Sequence, residues 1–360
     1  MTNINHWIVA IYFSKRAFSN LVILTVVISL FQVSTLSAQQ VSPFQTGHFM
    51  PAFANVRDFT KMQPGLVVLS YNYYAWADKF ADRYGKKHDK VYLEDIDPNL
   101  PSAVFSVDVN SVTTVPALFW GSKSTFLGGA NYVAGLTPSY FWAKTFIAAK
   151  QVGLNIDTLY SKNEEAKLSG FGDLSVIPFG LSWGWTHFDF TFYYGFTAPT
   201  GRYATGADDN IGLGFWTKQF QGYGYWYPKK SQATAFMLGL TYEINSKVKG
   251  EEFNPGDRFS LEYGFSQYLS ERFEFSLMGG NNWQITDDRG DEVFWDASYH
   301  DRKSTIAFSL AVWAVKNRFY IAGKYMLDYG VRQRFRLQGL MLNFIFMTNA
   351  LDGVKSDRKK

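Results

Sequence analysis

The stretch His187–Ala198, HFDFTFYYGFTA, sets Phe188, Phe190, Phe192, Tyr194, Phe196 and Ala198 on one side of an extended chain. His187, Asp189, Thr191, Tyr193, Gly195 and Thr197 fall on the other. A period of two is that of a β-strand, whose successive side chains point to opposite faces. In a soluble sandwich the face turned away from the core is the polar one. Here an aromatic face opposes a polar or small one, which suits a strand whose outside meets lipid. The alternation recurs in Phe236–Asn245, Phe259–Ser266, Phe319–Asp328 and Leu340–Phe346.

Between such segments the connections alternate in length. Long ones are expected over 78–100, 141–169, 201–210, 246–256, 286–303 and 330–334, and short ones near 121–124, 185–186, 228–232, 270–271 and 316–317. A barrel with both ends of its chain in the periplasm turns tightly there and loops at length outside. Six long and five short connections predict an all-β fold, an antiparallel transmembrane β-barrel of about twelve strands. The run 141–159 reads either as an outer loop or as further strands, which leaves fourteen possible. Aromatic residues near the expected short turns (Phe119, Trp120, Trp183, Trp185, Tyr225, Trp226, Tyr227, Tyr268, Phe273 and Phe319) predict a girdle at headgroup level.

Composition agrees. The mean hydropathy of −0.14 is too low for a bundle of membrane helices. Cysteine is absent from all 360 residues, which excludes disulfides and thiolate chemistry. A net charge of +4 with no basic stripe gives no footprint for nucleic acid. Lys15 and Arg16, the apolar run Leu21–Val33 and the small-residue site Leu36-Ser37-Ala38 read as a cleaved signal peptide over 1–38. Residues 39–64 lack alternation and read as a periplasmic lead or a plug in the lumen. The barrel is expected over 65–350 and a charged tail over 351–360.

No nucleophile elbow, phosphate loop or histidine pair with metal-ligand spacing occurs, so no catalytic residue, metal or cofactor is assigned. The acidic pairs Asp208-Asp209 and Asp287-Asp288 and the His300-Asp301 pair resemble the ingredients of a water-activating rim site. They fall in expected loops and read instead as solvated charge. Strand parity nominates as lumen-lining residues Asn72, Tyr74, His187, Asp189, Tyr193, Glu243, Glu262, Glu274, Trp313, Tyr320, Lys324, Asp328 and Asn343. Each serves equally as a structural bridge or as the wall of a path.

Seven segments together resemble one family. They are GHFMPAFANVRDF (47–59), GLVVLSYNYYAWADKFADRYGK (65–86), GFGDLSVIPFGLSW (170–183), FYYGFTAPTGRY (192–203), NIGLGFWTKQ (210–219), NPGDRFSLEYGFSQYL (254–269) and WQITDD (283–288). Their glycine, proline and aromatic spacing is similar to that of the outer-membrane transporters of the meta-pathway of phenol degradation (the MetA-pathway phenol degradation family). The resemblance implies a Gram-negative outer-membrane barrel related in concept to fatty-acid and toluene channels.

The reading this supports is passive uptake of small hydrophobic or aromatic compounds. The alternatives are a structural or adhesive surface barrel that binds a partner through its loops and, third, an outer-membrane enzyme. The expected partners are outer-membrane lipid and lipopolysaccharide, the barrel-assembly machinery and a small apolar solute.

Overall fold

A computed structural model describes residues 47–348, apart from 78, 83, 89–90, 93–102, 153–157, 208 and 294. The signal peptide expected over 1–38 and the tail over 351–360 lie outside the described residues, as does Asp208. Among the described residues, fourteen strands of 8 to 24 residues build the wall. They are β1 (Gly65–Ala77), β2 (Ala103–Phe126), β3 (Ala130–Thr137), β4 (Tyr140–Val152), β5 (Thr158–Phe171), β6 (Leu174–Gly184) and β7 (Phe188–Ala198). After these come β8 (Thr217–Trp226), β9 (Thr234–Asn245), β10 (Arg258–Tyr268), β11 (Phe273–Gln284), β12 (Arg302–Val315), β13 (Phe319–Arg332) and β14 (Gln338–Met347).

All pairings are antiparallel. Strand β1 pairs with β14 on one side and β2 on the other, so the sheet closes on itself. The closed ring runs β1-β2-β3-β6-β7-β8-β9-β10-β11-β12-β13-β14 and holds twelve strands. Closure leaves no unpaired ladder in the ring, the condition for a sheet to cross hydrocarbon.

The run 141–159, expected as an outer loop or as further strands, lies on strand over 141–152 and 158–159 without adding to the ring's count. β4 continues β3 past a break at 138–139, and β5 precedes β6 across a break at 172–173. β4 and β5 extend the wall beyond the ring, β4 pairing on the first half of β2 and β5 on β4. The turn expected near 121–124 lies instead at 127–129, where Leu127, Gly128 and Gly129 all take positive φ and the Gly129 N–H bonds the Phe126 carbonyl. β2 passes 121–124 with a register shift, because one strand can absorb an extra residue as a bulge without turning.

Parity holds along most of the wall. Phe188, Phe190, Leu238, Leu240, Phe308, Leu310, Leu340 and Leu342 are exposed on the outside, while Thr191, Tyr193, Met237, Glu243, Lys324 and Asn343 are buried inside. In the expected girdle, Trp120, Trp185, Trp226 and Phe273 face outward, but Tyr225 and Tyr227 are buried in the interior.

The interior is filled by the chain itself. Residues 47–64 run through the lumen without regular structure and pack on the inward faces. Phe59 stacks on Tyr223 with ring centroids 3.9 Å apart, and Phe53 meets Tyr71 and Tyr73. Met237, Met278, Met326 and Met341 belong to the same buried cluster. Their unbranched side chains suit the irregular surface of a segment with no helix or strand. Gly280 is an inward position where a Cβ would lie 2.6 Å from Pro51, so the plug's close approach requires glycine there.

Phe190→Arg puts a charge on the lipid side and should cost about 2–4 kcal/mol of folding free energy near mid-bilayer. Denaturant titration in liposomes measures it, and stability equal to wild type would invert the assignment of faces. Thr191→Arg is no neutral control, because Thr191 is fully buried against Ser182. Orientation is tested by single cysteines in this cysteine-free chain. On intact cells, Lys87→Cys and Asp291→Cys at the long-loop end should react with an impermeant maleimide, and Lys229→Cys in a short turn should not.

Candidate functional site: the plugged lumen

An irregular segment inside a barrel has N–H and C=O groups that no ladder satisfies, so side chains of the wall must do so. The Phe49 N–H donates to Glu243 on β9 (2.9 Å), and the Ala52 N–H to Glu262 on β10 (2.6 Å). The Lys61 N–H donates to Asp189 on β7 (2.9 Å), and the Met62 N–H to Ser182 on β6 (2.9 Å). The carbonyls are met from the opposite wall. Lys324 on β13 donates its ammonium to the oxygens of Ala52 (3.1 Å), Phe53 (3.0 Å) and Ala54 (2.6 Å).

Two plug side chains add anchors. Asn343 on β14 donates to the Asn55 side-chain oxygen at 2.9 Å. Arg57 contacts Ser266 (2.7 Å), Glu274 (3.2 Å) and the carbonyls of Gln232 and Ala233 (2.9 Å each), with its guanidinium 4.6 Å from the Tyr268 ring centre.

At the long-loop end His48 bonds Thr217 (2.7 Å) and Asp173 (3.0 Å), and Asp173 sits in the break between β5 and β6. Asp173 also accepts the N–H groups of Gly201 (2.9 Å) and Leu213 (2.8 Å), fastening the loop between β7 and β8. Burial alone would raise its pKa, but the hydrogen bonds from His48, Leu213 and Gly201 outweigh it and hold the carboxyl below its usual range.

Above the plug lies a layer of buried charge. Arg258 pairs with Asp301, which Arg334 also contacts at 3.1 Å, and Lys303 lies 3.9 Å from Asp328. The outer loops close over it through Phe215, Val248, Phe253 and Trp295. Below the plug, at the short-turn end, is a cavity of about 440 Å³. Phe119, Tyr193, Trp313, Tyr320 and Ile345 give it apolar walls, and Arg57, Asp189 and Glu274 give it polar groups already tied to one another or to the plug.

Of the nominated residues, Asp189, Glu243, Glu262, Lys324 and Asn343 grip the plug directly, and Glu274 does so through Arg57. Tyr193, Trp313 and Tyr320 line the cavity, and Asp328 belongs to the charged layer, where it accepts from Thr305 at 2.6 Å. Three nominations are corrected. Asn72 and Tyr74 face outward, because Tyr71 and Tyr73 are the buried pair on β1; Tyr74 is 43% exposed and donates to Asn110. A plugged lumen wants large rings, so on β1 the more polar face is not the inner one. His187 lies in the turn before β7, its Nδ1 2.8 Å from the Tyr227 carbonyl, and is not among the residues around the cavity described below the plug.

Asp288 and Asp301, read from sequence as solvated, are buried. Asp288 accepts from the Trp295 indole (2.8 Å) and the Gly256 N–H (2.7 Å). His300 does meet Asp287 at 2.7 Å at the rim. Asp288 and Asp301 are committed elsewhere, so they do not complete a water-activating site with that pair. Sequence reasoning missed Arg57, Arg258, Lys303 and Arg334. Arg258 and Lys303 share the inward parity of Glu262 and Thr305, which was the available signal.

The family model described as "Putative MetA-pathway of phenol degradation" matches residues 95–344. The solved COG4313 outer membrane channel from Pseudomonas putida F1 superposes with a TM-score of 0.57 at 14% identity, covering 81% of this chain and 99% of that one. A Pseudomonas aeruginosa FadL homologue gives a TM-score of 0.36 at 9% identity, with 79% and 89% covered. No curated protein sequence matches this chain.

Lys324→Met should free the carbonyls of Ala52, Phe53 and Ala54 while leaving the wall's backbone ladder intact. Arg57 and Lys61 should then become cleavable by trypsin in the folded protein, whose heat-modifiable gel mobility should be retained. Continued protection of both sites would show that the ammonium does not hold the plug.

Proposed function

The chain belongs to the MetA-pathway phenol degradation family, and we propose from that premise that it is a passive outer-membrane channel for small hydrophobic or aromatic compounds. The observation that carries the reading is the lumen. It is stoppered by the chain's own residues 47–64 and widens below them into the cavity of about 440 Å³ walled by Tyr193, Trp313, Tyr320 and Ile345. Apolar walls with a few fixed polar groups suit a small apolar molecule. A charged layer and a packed plug above that cavity oppose an open water-filled pore for sugars or ions.

Passage then requires the plug to yield, and the absence of native cysteine makes that testable. Lys61, in the stretch that borders the cavity, lies against Gly184, its Cβ 2.8 Å from where a glycine Cβ would stand, so a Lys61→Cys, Gly184→Cys pair is placed to cross-link. A strain lacking the protein should take up a labelled aromatic hydrocarbon at limiting concentration more slowly, with small sugars unaffected. The wild-type chain should restore uptake, and the cysteine pair should restore it only under reducing conditions. Unchanged uptake of aromatic and aliphatic compounds on deletion favours the surface-binding reading. Full restoration by the oxidised pair would mean that plug movement is not required.

A further inference from the structure

Arg302 opens β12 and Arg332 closes β13, and the two stand directly opposite each other in the ladder. Both belong to the outward face. Arg302 shares the parity of Ile306 and Phe308, and Arg332 follows the buried Val331. Like charges directly across an antiparallel pair repel. No described carboxylate forms an ion pair with either guanidinium, and the Arg332 Nε has no hydrogen-bond partner.

Their height on the barrel is the second observation. The outward apolar row of β13 runs Phe319, Ile321, Gly323, Tyr325, Leu327 and Tyr329. A tilted strand rises about 25 Å over that distance, the height of a barrel's apolar band. Tyr329 therefore lies at the outer boundary, where its hydroxyl meets that of Tyr263, and the arginine pair lies just above it. Trp283, opposite Arg302 on β11, stacks on Phe259 to continue the interfacial belt. We propose that Arg302 and Arg332 together bind a phosphate on the glucosamine headgroup of outer-leaflet lipopolysaccharide. The anion relieves their mutual repulsion, and the planar guanidinium forks suit its oxygens.

The test uses the full mature chain folded in detergent micelles, titrated with diphosphoryl lipid A while its thermal unfolding is followed. Wild type should be stabilised by the glycolipid, and dephosphorylated lipid A should give little effect. Arg302→Glu places an acid opposite Arg332, so the variant should fold at least as well without lipid, while its half-saturating lipid A concentration should rise about tenfold or more. The neutral Arg302→Gln, Arg332→Gln double variant should read the same way. Equal half-saturation in the variants, or equal stabilisation by dephosphorylated lipid A, overturns the proposal. Full reproduction of the shift by inorganic phosphate overturns the lipid assignment in favour of a soluble anion.

Discussion

The rest of the structure depends on how the backbone of residues 47–64 is hydrogen-bonded. Elsewhere in the described barrel most amides belong to ladders, but the plug runs through the lumen with neither helix nor strand. Each polar group left unmatched in such a place costs a few kcal/mol. The wall answers with carboxylates for the plug's N–H groups (Glu243, Glu262 and Asp189) and with one ammonium for three successive carbonyls. Charged partners make the stronger hydrogen bonds, and they face inward because the outside meets lipid. The buried charges Asp189, Glu243, Glu262 and Lys324 are thereby explained as the plug's missing secondary structure.

That requirement shapes the rest of the inner face. Where plug backbone touches wall backbone, side chains vanish, as at Gly280 beside Pro51 and Gly264 beside Val56. Where the plug presents rings, the wall presents rings, so Phe59 lies on Tyr223 and Phe53 between Tyr71 and Tyr73. Methionines occupy positions between these. An interior of this kind is packed as a core is packed, and a guanidinium at Thr191 would have nowhere to go.

The wall was legible because lipid imposes a strict period of two on β7, β9, β10, β13 and β14, and because turn lengths alternate. β1 was misread on the same rule. YNYYAW is aromatic on both faces, and the rule that polar residues face the lumen presumes a wet one. The lumen behind Tyr71 and Tyr73 is filled by Phe53, a contact with no local sequence signal. For the same reason Asp288 and Asp301 look like ordinary loop acids. Asp288 accepts from the Gly256 N–H and Asp301 pairs with Arg334, partners from other loops that meet these acids only when the barrel closes; Trp295 adds a bond to Asp288 from within the same loop. Breaks within a strand, at 138–139 and 172–173, preserve the strand count while hiding strand length, so β4 and β5 looked like loop.

The plug is not held evenly, and this bears on what can move. From His48 to Arg57 it is bound by Thr217, Asp173, Glu243, Glu262, Lys324, Asn343 and Glu274, several of them charged. Hydrogen bonds to charged groups contribute about 1.5–3 kcal/mol each, so expelling that part would oppose most of the stability a domain of ordinary size possesses. From Thr60 to Gln63 the described hydrogen bonds to the wall are two, Lys61 N–H to Asp189 and Met62 N–H to Ser182, and these residues border the cavity. The less costly displacement is of this inner stretch. It would enlarge the cavity toward the short-turn end and leave the upper plug seated. Such a displacement changes the lumen without opening a continuous aqueous path through the barrel, because the charged layer and the upper plug stay in place.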